Sequence, residues 1–526
     1  MAFVTSLRGW ASARLLLPCL TLALAGCATP PSSCSATGDD VVCTAQGALR
    51  GSVEGDTLSF KGVPYARALR WQAPAATPGW DGVRDATRYG PVCPQLQGNN
   101  VVGDEDCLTL NIWRPRTAPQ KPLPVMVFLT GGGNHAFSGQ GAAVFGGVRY
   151  SGERLVPEGV VFVSFNYRLG ALGFLAHPSL AVDSVSGNYG TQDQLAMLRW
   201  LQRHIAAFGG DPQRIMLFGT SAGGGNICTL MAAPAARGLF HRAAMQASVP
   251  TGCELPTLAQ AEQGTGAQVA AKLGCTGGDA AACLRSKPMA DVVRAVPGTF
   301  GLLPRLYGPV VDGRLVPEQP LATIRRGAHA SMPVIVGNST QETMLFVNSV
   351  GPVTDATSYE GAIARVFGAA QVARIVQAYP LSAHASPRDA LVKLSTDALF
   401  TCQSRRVTRA LAAHQAHAVY RYLFDHALEN DPALKAQGAV HTVEHPFFFA
   451  WQGSYQPTAA DLAVQRELVS RWVALARDGR LPGDRWPNAV PGDAYLRIAP
   501  QTLAAQGDAG AQCDFWDTVP LPSPHL

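Results

Sequence analysis

Four apolar residues, Ile215 to Phe218, run straight into Gly219-Thr220-Ser221-Ala222-Gly223, and a stretch of small residues follows. A short unbroken apolar run suits a strand buried on both faces, and the small residues suit the start of a helix. A serine with glycine two positions away on either side fits a strand–turn–helix too tight for neighbouring side chains. Such a turn lifts the Ser221 hydroxyl off the end of a sheet and aims the backbone N–H of Ala222 into the same space. It is strained, so it needs a rigid sheet beneath it.

The rest of the 526-residue chain can supply that sheet. Val125 to Leu129, followed by Gly131-Gly132-Gly133, is a second apolar run; Val160 to Phe165, ending Asn166-Tyr167-Arg168, is a third. Val334 to Val336, ending Gly337-Asn338, is a fourth, and Val419 to Phe424 a fifth, weaker in pattern. Leu195, Leu198, Leu201 and Ile205 recur at helical steps before the Ser221 strand. Leu462, Leu468, Trp472 and Leu475 line a second helix from about Asp461 to Asp478, with Gly479 as its stop. Strands alternating with helices predict an α/β fold, with a mostly parallel central sheet, covering helices and insertions. Residues 45–526 read as one large domain, since no internal repeat or second linker interrupts them. Apolar residues make up 47% and charged residues only 15%, so a large core can form. The net charge of +5 comes with no basic run or base-stacking motif, which argues against a nucleic-acid partner.

The amino terminus follows other rules. Residues 1–26 carry Arg8 and Arg14, no acid, and an apolar run from Leu15 to Gly26 that is too short to span a bilayer. Leu24-Ala25-Gly26-Cys27 resembles a bacterial lipoprotein cleavage box, which implies removal of residues 1–26 and a lipid on Cys27. Residues 27–44 then serve as a lipidated spacer, and the protein is expected to be exported and held on a membrane through its amino terminus. Ala28 is not the acidic residue of an inner-membrane retention signal, which favours the outer membrane. An ordinary signal peptide would instead release a soluble secreted protein. The 12 cysteines agree with an oxidising compartment, and local spacing suggests Cys34–Cys43, Cys93–Cys107 and Cys275–Cys283. No C-x-x-C pair points to zinc or to a thioredoxin-like centre.

A serine hydroxyl is a weak nucleophile. It needs a histidine to take its proton and a carboxylate to orient that histidine, in the order serine, acid, histidine along such a chain. Glu342 lies just past the Val334–Val336 run, with Asp312 and Asp397 as rivals. The histidines that follow are His384, His414, His417, His426, His441 and His445; the residues alone leave His441 and His445 level. His414 and His417, three apart, read as a solvated helix face rather than metal ligands. Gly131-Gly132-Gly133 has the character of an oxyanion loop, because backbone donors must approach a carbonyl that side chains would block.

At this point the chain resembles a known family. Glu105-Asp106-Cys107-Leu108-Thr109-Leu110-Asn111-Ile112-Trp113 and Phe208-Gly209-Gly210-Asp211-Pro212, continuing to Ser221-Ala222-Gly223, are similar to motifs of the type-B carboxylesterases and cholinesterases, which are α/β-hydrolases. Asn166-Tyr167-Arg168-Leu169-Gly170, Gly187-Asn188-Tyr189-Gly190 and Val310-Val311-Asp312-Gly313 extend the likeness over about residues 45–518. The resemblance implies a serine esterase without metal or organic cofactor, acting on a small-molecule ester. It implies Ser221 as nucleophile, Glu342 as acid, His441 as base, and Gly132, Gly133 and Ala222 as oxyanion donors. It supports the Cys93–Cys107 and Cys275–Cys283 bridges and adds Cys402–Cys513, since Cys513-Asp514-Phe515-Trp516 is similar to the family's carboxyl-terminal motif. Cys228 and Cys253 are expected as buried thiols, with a mutual bridge as the alternative. Lipase, sterol esterase or amidase chemistry could use the same site, and some cholinesterase-like relatives only bind.

Thr220 stands where the family usually has glutamate, and Thr130 and Asn134 flank the glycine triplet where aromatic residues or histidine are common. These changes are expected to make the wall of the substrate gorge more polar. The segment between Cys93 and Cys107 holds no tryptophan, the side chain best suited to a quaternary ammonium. Acetylcholine is therefore expected to be a poorer substrate than an uncharged acetate ester. Comparable kcat/KM for the two would contradict this.

Overall fold

The computed structural model describes Met1 and residues 38–521, apart from 182–185, 248–252, 304–305, 452, 482–485, 487, 490–491 and 509. Among these, eleven strands form the central sheet: β1 Ser52–Glu54, β2 Thr57–Pro64, β3 Thr109–Pro115, β4 Leu123–Leu129, β5 Val161–Phe165, β6 Gly210–Thr220, β7 Arg242–Gln246, β8 Val334–Ser339, β9 Val419–Phe424, β10 Tyr495–Ile498 and β11 Leu503–Ala505. Their spatial order is β1-β2-β3-β5-β4-β6-β7-β8-β9-β10-β11. The stretch from β5 through β10 is parallel, and both edges are antiparallel.

The unbroken apolar runs follow from this layering, because both faces of the parallel strands are covered. On one face Val125, Val127, Leu129, Ile215, Leu217, Val334 and Val336 join α1 (Tyr189–His204) and α2 (Ala222–Ala232) in one core. On the other, Met126, Phe128, Met216, Phe218 and Ile335 meet Leu468, Trp472 and Leu475 of the helix Ala459–Asp478. That helix starts in a capping box between Thr458 and Asp461 and stops at Gly479 in the left-handed conformation, φ 66. Leu462, read as part of its apolar face, is instead 39% exposed. A third core, around Tyr359, Leu391, Phe400 and Trp516, belongs to the helical insertion after β8 and the carboxyl-terminal turn that closes on it. No helix of the described residues is long and apolar enough to cross a membrane.

Cys93–Cys107, Cys275–Cys283 and Cys402–Cys513 are bridged as expected. Cys43 is also disulfide-bonded; its expected partner Cys34 lies outside the described residues, as does Cys27. Two expectations need correction. Cys228 and Cys253 are not thiols but a disulfide, with Cα atoms 6.0 Å apart. The chain between them passes through β7 and returns to α2, a proximity that a separation of 25 residues does not reveal. The boundary at residue 45 is also too late. Val41–Thr44 pairs antiparallel with Gly47–Arg50, and Val41 and Val42 are buried, so the folded body takes in part of the expected spacer.

Candidate active site

β6 ends at Thr220, paired in register with Gln246 of β7, and the Ser221 N–H donates to the Gln246 carbonyl at 2.9 Å. Ser221 itself has φ 61 and ψ −126 and leads directly into α2. A non-glycine residue held there stores about 1–3 kcal/mol of strain. Gly223 explains how the turn closes. A Cβ on it would lie 2.1 Å from the Leu129 carbonyl oxygen, so only glycine lets α2 start this close to β4. The first N–H groups of α2, Ala222 among them, have no partner inside the helix and point back toward Ser221.

The glycine triplet after β4 packs against this turn. A Cβ on Gly131 would lie 3.0 Å from that of Ser221, and Gly132 and Gly133 have φ 72 and 60. Asn134 is buried and anchors the loop: its Oδ1 accepts from Asn226 of α2 at 2.9 Å and from the Tyr167 hydroxyl at 3.2 Å. Thr220 and Thr130 are buried as well. None of the three lines a polar gorge wall, because the sheet and α2 enclose their side chains. Sequence reasoning missed the anchoring role of Asn134, which depends on Asn226 and Tyr167 arriving from elsewhere in the chain.

Glu342 follows β8, two strands from β6 and at the same end of the sheet. Gln341 pairs with Val440, and its N–H donates to the Ala439 carbonyl at 2.9 Å, which ties this turn to the loop carrying His441. Gly438 permits that approach: with φ 74, a Cβ there would fall 1.4 Å from Gln341 Oε1. Glu342 is fully buried; Oε1 accepts from the Ser339 N–H and Oε2 meets His441 Nδ1, each at 2.5 Å. The His441 ring is held between Phe346 and Phe400, at centroid distances of 5.0 and 5.5 Å.

The rivals are engaged elsewhere. His445 packs edge-on against Phe128 and Tyr150, and both its ring nitrogens are buried without a partner. Burial, then the charge of His441, push it down to about 3, so it is neutral at working pH. Asp312 accepts from the Arg314 and Val316 N–H groups in a turn, and Asp397 binds Lys393 and Tyr379. His426 does pair with a carboxylate, Asp461, but that group also caps the Ala459–Asp478 helix. His414 and His417 are exposed, and His384 is half-buried at the end of a short turn.

A model of the Carboxylesterase family matches residues 38–516. The chain belongs to the carboxylesterase family. It is 33% identical over 462 residues to the fumonisin B1 esterase of Sphingopyxis macrogoltabida, covering 83% of this chain and 81% of that protein. It is 31% identical over 501 residues to the para-nitrobenzyl esterase of Bacillus subtilis (strain 168), covering 90% and 96%. A solved PNB esterase structure superposes with a TM-score of 0.76 at 27% identity, covering 91% of this chain and 99% of that one. The fold is that of the α/β-hydrolases, and the protein is a carboxylic ester hydrolase.

This carboxylesterase carries one more acid beside the Glu342–His441 pair. Glu444 is fully buried and accepts a hydrogen bond from the Tyr422 hydroxyl. Burial, then the negative charge of Glu342, raise it from an ordinary value of 4.5 to about 8, against the lowering effect of its hydrogen bonds. Glu444 is thus a neutral acid in the fold at pH 7, while the unfolded chain ionises it. The folded state then binds more protons over this interval, so stability is greatest below 4.5 and is lost as pH rises toward about 8. Glu444→Gln, which keeps the shape and cannot ionise, is expected to flatten the fall in urea-unfolding stability from about pH 5 to about pH 8. An unchanged slope would mean that Glu444 is already ionised in the folded protein.

Proposed function

We propose that the enzyme cleaves an uncharged carboxylic ester through a Ser221–His441–Glu342 triad and an acyl-enzyme. The observation that carries this reading is the buried hydrogen bond between Glu342 and His441, at the end of the sheet from which Ser221 projects. With Nδ1 engaged by the carboxylate, Nε2 is the nitrogen left to take the Ser221 proton. The hydroxyl oxygen attacks the ester carbonyl, and Gly132, Gly133 and Ala222 donate N–H groups to the oxyanion. His441 returns the proton to the departing alcohol; water then repeats the sequence on the acyl group. The partial positive charge at the start of α2 favours the same oxyanion. The Glu342 carboxylate orients the imidazole and stabilises the imidazolium that forms.

Apolar side chains near the site support an ester with an apolar portion. Phe300 is half-exposed and packs on His135 and Phe137 beside the glycine triplet, and Leu345 is exposed on the Glu342 turn. Relatives named for a para-nitrobenzyl ester and for fumonisin B1 support a carboxylic-ester substrate. Export with a lipid on Cys27 is the accompanying proposal; the disulfides among the described residues support an oxidising compartment.

Wild-type enzyme mixed with p-nitrophenyl acetate is expected to release a burst of nitrophenol stoichiometric with enzyme. Ser221→Ala should abolish the burst, and Glu342→Gln should lower kcat by about 10³–10⁴ with little change in KM. A burst surviving in Ser221→Ala would rule out this nucleophile. For the anchor, the mature protein is expected to partition into a detergent phase and Cys27→Ser into the aqueous phase. Aqueous partition of both would refute lipidation.

A further inference from the structure

The strands that present Ser221 at their carboxyl-terminal ends begin at a second, unrelated cavity. It has a volume of about 990 Å³ and is lined by Gln213 before the core of β6, Arg242 at the start of β7, Met332 and Pro333 before β8, and His417 before β9. Six residues of β6, Ile215 to Thr220, separate it from the nucleophile, a span of about 20 Å. The cavity is therefore at the opposite end of the sheet from the esterase site.

Its charge is one-sided. Two guanidiniums, Arg237 and Arg242, line it against a single carboxylate, Asp478, which is hydrogen-bonded to Arg477; His241 and His329 line it too, and burial lowers both toward the neutral form. Arg237 is exposed and anchored by a hydrogen bond to the Ala328 carbonyl, so its guanidinium is held at the rim. Arg242 is only partly exposed, and its Nε is buried without a hydrogen-bond partner. Gly479 leaves the space beside it open: a Cβ there would be 3.4 Å from the Arg242 guanidinium. Asp211, the nearest other acid, is paired with Arg214.

We propose that this cavity binds a phosphate-bearing anion, with Arg237 and Arg242 as the principal contacts and the imidazoles of His241 and His417 lining the same wall. Two guanidiniums lining one cavity suit an oxyanion with several acceptors, and the volume exceeds that of phosphate alone, leaving room for an organic substituent. The site is independent of the triad and does not rest on it.

The test is calorimetric titration of the mature-length Cys27→Ser chain, which carries no lipid of its own, with inorganic phosphate, together with its cosedimentation on vesicles of phosphatidylglycerol or of phosphatidylcholine alone. Phosphate is expected to bind, and Arg237→Gln and Arg242→Gln are each expected to weaken it by about tenfold or more. The kcat/KM for p-nitrophenyl acetate should be unchanged in both variants. Binding only to phosphatidylglycerol vesicles, with the same loss in the variants, would assign the anion to a lipid headgroup; binding to free phosphate assigns a soluble ligand. Arg237 is exposed, so Arg237→Gln reads out the site whether or not Arg242→Gln folds. Absence of binding to both probes, or binding that survives both substitutions, overturns the proposal.

Discussion

The carbonyl oxygen of Leu129 occupies the space that any side chain at position 223 would need, only 2.1 Å from where its Cβ would fall. Because residue 223 is glycine, α2 can begin directly against β4, and the chain between β6 and α2 must turn through a single strained residue. That residue is Ser221. Its φ of 61 is maintained by a parallel sheet buried on both faces, with β4 on one side of β6 and β7 on the other. The glycine triplet after β4 is brought against the same turn by the same strand pairing. The candidate nucleophile and the backbone donors around it are thus products of one packing constraint.

Glu342 and His441 reach this sheet end by a different route. Glu342 is removed from water completely, and its two oxygens are taken up by the Ser339 N–H and by His441. A carboxylate in such surroundings is tolerable only because both partners are present. Glu444, buried close by, keeps its proton, because burial first and then the charge of Glu342 oppose its ionisation. The two acids are set apart by partners rather than by residue type: Glu342 meets His441 and the Ser339 N–H, and Glu444 meets the Tyr422 hydroxyl. His445 makes the same point among the bases: four residues from His441, it faces Phe128 and Tyr150 and stays neutral.

Much of the central sheet could be read from runs of apolar residues, because parallel strands covered on both sides leave no alternation to confuse them. β4, β5, β6, β8 and β9 each contain such a run. β7, with Arg242 and Gln246 at its ends, and β10, with Arg497 exposed, are short and mixed, and they stand out only through their pairing. The Cys402–Cys513 bridge came through family likeness, and Cys228–Cys253 was misread. Thr130, Thr220 and Asn134 were assigned to a gorge wall from their neighbours in the chain. Their burial depends on α2 and Tyr167, which local sequence does not describe.

Glycine spacing around Ser221, the short apolar runs and the long family motifs determine a strained serine at the end of a parallel sheet, because each of these signals is local along the chain. The tertiary structure alone decided which acid keeps its proton and that Cys228 pairs with Cys253, and it brought Glu342 to the one of two histidines that family likeness, but not the residues themselves, had favoured. Those outcomes turn on distance and on access to water between residues far apart in the chain: His441 lies 99 positions from the carboxylate it contacts.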